Sequence, residues 1–206
     1  MAAIQGKYFF ITLQFSSAWR PSAVTIITRD KFTDMKKLVS LSASLLFAGA
    51  CATATTAPGP SAVAALVPTS GSTAQGTVEL TQLADGSVEV RVDLEGVPAG
   101  VHGFHIHEKG DCGDNGNAAG GHYNPLSTLH GAPDADPHHA GDFGNVTASA
   151  AGEVRTTFTT RSVTVEEGPA TAVGHAIILH ANPDDLQTQP TGNAGARIAC
   201  GIVTRR

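Results

Sequence analysis

Residues 77–94 read TVELTQLADGSVEVRVDL, two runs of alternating apolar and polar residues joined by a short polar segment. Alternation with a period of two places successive side chains on opposite faces of a β-strand. The dipeptide Asp85-Gly86 between the runs is typical of a tight hairpin turn. This stretch therefore predicts two antiparallel strands.

Similar patterns recur toward the C-terminus, and no sustained helical period competes with them. Further alternating or β-branched runs lie at residues 145–148, 154–160, 176–179 and 198–203. The chain has 23 Gly and 11 Pro but only 5% aromatic residues, which suits short strands joined by turns. We predict an all-β antiparallel sandwich or barrel, with a long loop at residues 110–142 and a second loop near the C-terminus.

Histidines mark the long loop as functional. All nine His of the 206 residues lie between His102 and His180. His105 and His107 end a strand-like run, where positions two apart share one face. A loop of about 30 residues without alternation needs a functional reason, and metal ligation can order such a loop. Imidazole clustering of this kind indicates a metal site.

The charge distribution argues against a nucleic-acid partner. The formal charge is −5, but residues before Cys51 hold six Lys/Arg and two Asp/Glu, whereas the rest holds seven and sixteen. The body from Cys51 onward therefore carries −9 with His neutral (seven minus sixteen). An acidic body without a basic run is not typical of proteins that bind nucleic acid.

Residues 35–51 have the three parts of an export signal. Met35-Lys36-Lys37 is a basic start, residues 38–50 are mostly apolar, and small residues precede Cys51. The apolar run is too short to span a bilayer comfortably. Residues 1–34 are then either an upstream mis-extension or a long natural leader. We expect a signal peptide and a location in the periplasm or cell envelope.

Cys51 leaves two alternatives open. Residues 46–51, LFAGAC, resemble the lipobox of bacterial lipoproteins, although Ala48 stands where Leu is preferred. The alternative to lipidation at Cys51 is ordinary signal-peptidase cleavage beside it. Residues 52–61 are rich in Ala, Thr, Pro and Gly and predict a flexible tether, and residues 62–206 form the predicted domain.

The remaining two cysteines, Cys112 and Cys200, form one pair. In an exported protein such a pair predicts a disulfide bond that closes a long loop. A zinc–thiolate site is the alternative, but the two lie far apart and the chain has no C-x-x-C motif.

Several motifs occur together in the domain. They are GFHIHE at 103–108, GHYNP at 121–125, HGAP at 130–133, HAGDFGN at 139–145 and GNAGARIACG at 192–201. In combination they resemble the copper–zinc superoxide dismutase family over residues 61–204. The resemblance implies a Greek-key β-barrel. It also implies that superoxide is dismutated to dioxygen and hydrogen peroxide by copper redox cycling, with zinc in a structural role.

The resemblance implies one copper and one zinc per subunit. The implied copper ligands are His105, His107, His122 and His180. The implied zinc ligands are His122, His130, His139 and Asp142. His122 would bridge the two ions after losing both ring N–H protons, a loss favoured by the field of two dications. Asp184 matches a carboxylate that orients one copper and one zinc histidine, and Cys112 and Cys200 match the family's disulfide.

Two residues have implied catalytic roles, and three histidines have none. Arg197 would guide the superoxide anion, and His122 would deliver a proton to the peroxide product. His102 matches a structural position, and no role is assigned to His138 or His175.

One departure from the family concerns residues 181–196, which contain no Lys or Arg although many members carry lysines there. Long-range steering of the substrate should therefore be weak. The rival functions are a copper-delivery or metal-storage module and a purely structural sandwich domain. A homodimer and a monomer both remain open.

Overall fold

The computed structural model describes residues 59–206. The predicted signal peptide, Cys51 and most of the predicted tether lie outside these residues. The strands are β1 (Ser61–Pro68), β2 (Gln75–Gln82), β3 (Val88–Glu95), β4 (Gly100–His107), β5 (Asp142–Ala148), β6 (Val154–Thr160), β7 (Ala176–His180), β8 (Arg197–Ile202) and β9 (Thr204–Arg205). A six-residue 3₁₀ segment, Asp114–Ala119, is the helical element of this part of the chain.

All strand pairs are antiparallel, and the strands follow the order β5-β4-β7-β8-β1-β2-β3-β6, with β9 beside β1. The first and last strands of this order, β5 and β6, are consecutive in the chain. The rings of Phe143 and Phe158, one on each of these two strands, lie 5.4 Å apart. The sheet is therefore a nearly closed barrel, which confirms the predicted all-β class. The non-sequential neighbours β3–β6 and β4–β7 are the crossings expected of a Greek-key topology.

The hairpin predicted from residues 77–94 is present. Gln82 of β2 pairs with Val88 of β3, and the Asp85 carboxylate accepts hydrogen bonds from the N–H and hydroxyl of Ser87. Gly86 has a φ of +83°, a conformation that glycine adopts without strain. Every second residue of β3 is buried, as the alternation predicts.

Strand β1 differs from the sequence expectation because it begins at Ser61, the last residue assigned to the tether. Its residues lack apolar–polar alternation, and Ala62, Ala64 and Leu66 are the ones that enter the core. Small side chains give little apolar–polar contrast, so the sequence does not distinguish this strand from the predicted tether that precedes it.

Strand β4 separates the core from the histidines. Phe104 and Ile106 are fully buried in the main hydrophobic core, whereas His105 and His107 point to the opposite face and are also fully buried. This follows from the two-residue period of a strand. The pairing register of β4 with β5 shifts between Gly103 and His105, an irregularity of the kind found beside functional sites.

The ends of the strands and two loops bring the other histidines to the same place. His107 forms an isolated bridge with His122, and His180 at the end of β7 pairs with Arg197 at the start of β8. Within residues 59–206, no helix has the length and apolar character needed to cross a membrane.

Candidate metal centre

Seven buried side chains form two groups that share His122. The first group consists of His105, His107, His122 and His180, and the second of His122, His130, His139 and Asp142. In each group, one nitrogen or oxygen atom per residue lies within 4.8 Å of the others. The structure therefore brings together the two sets that the family resemblance implied.

The hydrogen bonds of His107 and His180 determine which ring nitrogens face the first group. The Nδ1 atom of His107 lies 3.0 Å from the carbonyl oxygen of Gly120, and that of His180 lies 3.3 Å from the oxygen of Gly195. A carbonyl oxygen only accepts, so both Nδ1 atoms carry the proton and both Nε2 atoms present lone pairs. These Nε2 atoms are 3.2 Å apart. Two lone pairs that face each other in this way favour a cation between them.

Asp184 joins the two groups. Its Oδ2 accepts a hydrogen bond of 2.7 Å from Nε2 of His105, and its Oδ1 accepts one of 3.0 Å from Nε2 of His130. The Nδ1 atoms of both rings are consequently the ones directed into the site. Burial raises the pKa of Asp184, but the two imidazole donors outweigh burial and hold that pKa below its ordinary value.

Asp142 lies at the centre of the second group. Its Oδ1 is 2.7 Å from Nδ1 of His122, 3.1 Å from Nδ1 of His130 and 3.3 Å from Nδ1 of His139. Its Oδ2 accepts the backbone N–H groups of Gly131 and His139. Burial raises the pKa of Asp142, whereas the histidines and the two backbone donors lower it further, so the carboxylate is ionised.

Unpaired nitrogens test whether these residues fit metal ions. Within residues 59–206, the buried side-chain nitrogens and oxygens without a hydrogen-bond partner are His105 Nδ1, His122 Nε2, His130 Nδ1 and His139 Nδ1. All four belong to the two groups, and buried polar atoms are rarely left unpaired without a reason. Four nitrogen donors suit copper, and three imidazoles with one carboxylate suit tetrahedral zinc. The donor sets therefore fit one ion of each kind.

The protonation of His105 and His180 agrees with ligation, whereas that of His130 opposes it. Burial lowers the pKa of His105 to about 4 and that of His180 to about 3, so both rings are neutral at physiological pH. Burial also lowers the pKa of His130, but Asp142 and Asp184 outweigh it and raise that pKa to about 9. A metal that binds His130 must therefore displace a proton from its ring.

Arg197 lies beside the first group, at a surface cleft of about 200 Å³. The cleft is lined by His107, Asn117, His180, Thr191, Ala194, Gly195, Ala196 and Arg197. The guanidinium donates hydrogen bonds of 2.5 and 2.6 Å to the carbonyl oxygens of Gly116 and Gly120. Burial lowers its pKa, yet an arginine stays charged at neutral pH. The cleft thus contains a fixed positive charge next to His107 and His180.

Comparison with known proteins gives the family. The sequence profile of copper/zinc superoxide dismutase (SODC) matches residues 74–203. The chain belongs to this family. Copper/zinc superoxide dismutases are oxidoreductases that act on superoxide and bind copper and zinc, and the histidine groups above are able to hold both metals.

A solved structure gives the same picture of the fold. The clock protein EA4, which has a crystal structure, shares 36% sequence identity with this superoxide dismutase. The two structures superpose with a TM-score of 0.64. The alignment covers 72% of this chain and 96% of that one. The likeness thus extends over nearly the whole of the solved chain.

The predicted disulfide of the superoxide dismutase is present. Cys112 and Cys200 are bonded, with their Cα atoms 5.7 Å apart and a sequence separation of 88. The bond joins the loop after β4 to strand β8, which begins at Arg197. It therefore ties together the two segments that form the cleft.

Two of the remaining histidines of the superoxide dismutase are structural. His102 is buried, with its ring nitrogens 2.8 and 2.7 Å from the carbonyl oxygens of His180 and Pro98. His138 lies 2.6 Å from the carbonyl oxygen of Ala135 and 2.9 Å from the hydroxyl of Ser162. Neither belongs to the two groups; His102 links β4 to the end of β7, and His138 links the long loop to the segment after β6.

His175 lies apart from both groups of the superoxide dismutase. Its ring stacks on that of Tyr123, with the centroids 4.0 Å apart and the planes 30° from parallel. Its Nδ1 donates to the carbonyl oxygen of Glu108. It packs the long loop against the segment before β7.

Sequence reasoning missed two amide side chains of the superoxide dismutase. Asn145 bonds to both the N–H and the carbonyl oxygen of Asp184, at 2.8 and 2.9 Å. Gln189 does the same for His130, at 2.9 and 2.8 Å. No sequence motif identifies these contacts, because each depends on how two distant segments approach each other. Asp185, the residue after the orienting Asp184, is exposed and organises its own turn.

Proposed function

We propose that this superoxide dismutase holds each metal with one of the two side-chain groups. Copper is assigned to His105, His107, His122 and His180, and zinc to His122, His130, His139 and Asp142. The assignment rests on buried nitrogens that have no hydrogen-bond partner among the described residues. All of these nitrogens belong to residues of the two groups that share His122. The pure nitrogen donor set favours copper in the first group, and the carboxylate favours zinc in the second.

The metals and the protein have separate tasks in the proposed reaction, in which two superoxide anions and two protons give one dioxygen and one hydrogen peroxide. When bound, copper supplies one-electron redox chemistry, and zinc supplies positive charge without redox change. Arg197 binds and orients the anion in the cleft, because its guanidinium is fixed by Gly116 and Gly120 before the substrate arrives.

His122 is the proposed proton donor. Its Nδ1 faces Asp142 in the second group, and its Nε2 is buried without a partner among residues 59–206 and belongs to the first. We assign Nε2 as the atom that holds a proton and passes it to the peroxide product. Because Nδ1 is assigned with Asp142 to the second group, that group would keep the ring in place during this transfer.

The test is superoxide dismutation by the signal-stripped domain reconstituted with copper and zinc. High turnover that falls sharply in His122→Ala and Arg197→Ala supports the mechanism. Arg197→Ala should retain both metals, since Arg197 is not among the proposed ligands. Stoichiometric copper binding without turnover in the parent protein would instead favour metal delivery or storage.

We further propose that the enzyme protects the cell envelope from superoxide after export. The export-like segment at residues 35–51 and the disulfide of Cys112 and Cys200 support this location, because disulfides persist in oxidising compartments. Cell fractionation tests the proposal, and recovery of the protein in the cytoplasm would contradict it.

Lipidation of Cys51 is a separate step, and the lipobox-like residues 46–51 favour it. Cys51→Ala should then move the protein from the membrane fraction to the soluble envelope fraction. An unchanged distribution would favour ordinary cleavage.

A further inference from the structure

The second loop of the cleft makes a contact with His130 that the proposed function does not use. The carboxamide oxygen of Gln189 accepts a hydrogen bond of 2.9 Å from the backbone N–H of His130. The carboxamide nitrogen donates one of 2.8 Å to the backbone carbonyl oxygen of the same residue. One side chain thus pairs with both backbone groups of His130, as a neighbouring β-strand would.

His130 needs such a partner because it lies outside the strands. It is 4% exposed and occupies the irregular segment between β4 and β5. Within residues 59–206, its N–H and carbonyl oxygen are both bonded to Gln189 and to nothing else. Buried backbone groups without a partner are costly. Gln189 therefore supplies the pairing that the chain around His130 does not.

The turn that carries Gln189 is itself well bonded. The Asp185 carboxylate accepts the N–H groups of Gln187 and Thr188 at 3.0 and 2.7 Å. The backbone of Gly192 bonds to both Asp185 and Thr188 across this turn. These bonds hold the turn in one conformation and set the direction of Gln189.

The same loop also holds the ring of His130. Asp184, next to Asp185, accepts the N–H at Nε2 of His130 at 3.0 Å. Asp184 thus fixes the imidazole while Gln189 fixes the backbone, and together they direct Nδ1 toward Oδ1 of Asp142. His105, His107 and His180 lie on β4 and β7, where strand pairing holds the backbone instead.

We propose that Gln189 is a positioning residue for the zinc half of the site. It fixes the backbone of His130, so that Nδ1 is presented to the metal without a further loss of chain entropy on binding. The inference rests on the proposed assignment of His130 to zinc. Because the copper histidines on β4 and β7 have their own support, loss of Gln189 should weaken zinc binding more than copper binding.

The test uses Gln189→Met, which keeps the length of the side chain and removes both the donor and the acceptor. Gln187→Met is the matched control, because Gln187 is an exposed glutamine of the same loop whose side chain makes no hydrogen bond within residues 59–206. Zinc and copper affinities are measured separately by chelator competition on the whole domain. The visible spectrum of cobalt(II) bound in place of zinc reports the geometry of that site.

We expect Gln189→Met to weaken zinc binding about tenfold, to change the cobalt spectrum and to leave copper affinity within about twofold of the control. The thermal midpoint of the metal-free variant checks that it is folded. Zinc affinity equal to that of Gln187→Met, or equal losses for zinc and copper, would overturn the inference.

The parent protein separates this inference from the proposed function. If the parent binds no zinc or does not dismutate superoxide, the proposed function fails whatever Gln189 does. If the parent binds both metals and turns over while Gln189→Met keeps full zinc affinity, the role of Gln189 alone is wrong.

Discussion

Asp184 shows how much one side chain can determine at the scale of a residue. Its two oxygens accept the Nε2 protons of His105 and His130, and these bonds direct both Nδ1 atoms into the site. The backbone of Gly192 packs closely against this carboxylate, because a Cβ atom at Gly192 would lie 1.8 Å from Oδ1 of Asp184. The carboxylate, both rings and Gly192 are therefore packed as a unit.

Asp184→Asn should weaken the binding of at least one of the two metals by about 10- to 100-fold. An amide accepts at one atom and donates at the other, so one of the two histidine N–H groups loses its acceptor and that ring loses its preferred tautomer. Chelator competition measures the effect. Asp134→Asn, at an exposed position of the long loop, is the control. Wild-type affinity for both metals in Asp184→Asn would contradict this account of the two rings.

At the scale of the element, strand β8 and the loop after β4 act together. Arg197 begins β8 and donates to Gly116 and Gly120 of the loop, while Cys200 of the same strand is bonded to Cys112. The strand therefore fixes the loop at two places. The loop in turn carries the carbonyl oxygens that hold the arginine in the cleft.

Replacing both cysteines by serine should lower the free energy of unfolding of the metal-free protein by about 4–5 kcal/mol. The bond closes a loop of 88 positions, and the chain-entropy model gives a loss of this size. Chemical denaturation checks the value. A change below about 1 kcal/mol would mean that the unfolded chain gains almost no freedom when the bond is removed.

Elements were predictable from the sequence where alternation is strong, and the strand at residues 154–160 agrees with β6 at both ends. Strand β1 was missed because its small residues carry no clear alternation. Positions 105 and 107 could be placed on one face from the strand period. The meeting of His130 with Gln189 could not be predicted, because it depends on two loops that are distant in sequence and follow no repeating pattern.

At the scale of the whole molecule, buried neutral histidines make the metal-free protein sensitive to acid. The pKa of His105 is lowered to about 4, and that of His180 to about 3, from an ordinary value of 6.5. At pH values between the lowered pKa and the ordinary pKa, the unfolded chain binds more protons than the folded protein does. Stability is therefore lost as the pH falls from about 6.5 to about 4, and His130, whose pKa is raised, changes stability only above this range.

The free energy of unfolding of the metal-free protein should thus fall between pH 6.5 and 4 by about 3 kcal/mol from His105 alone, since one pKa unit corresponds to about 1.4 kcal/mol. Denaturant titrations at several pH values measure this. The lowered pKa values of Asp142 and Asp184 keep both carboxylates ionised over the range. A stability that is constant or rises toward pH 4 would contradict the prediction.

The charge of the whole domain predicts a weak dependence of turnover on salt. The chain from Cys51 onward carries seven Lys/Arg and sixteen Asp/Glu, and residues 181–196 contain no cation. Arg197 acts at short range, where screening is slight. We expect kcat/KM to change less than about threefold as the Debye length falls from about 30 Å to about 8 Å.

Stopped-flow or pulse measurements of superoxide decay at low and physiological ionic strength check this expectation. Ala196→Lys, which places a second cation at the rim of the cleft, should raise kcat/KM at low salt and give a steeper decline with added salt. A steep decline in the parent protein would show that steering comes from charges outside residues 181–196.

The sharing of His122 and Asp184 between the two groups has a thermodynamic consequence. An ion that enters one group immobilises a ring or a carboxylate that the other group also needs, so the second ion arrives at a partly assembled site. By reciprocity, each ion alters the affinity for the other by the same factor, whichever binds first. Occupancy of each site in the cell therefore depends on the supply of the other ion as well as on that of its own.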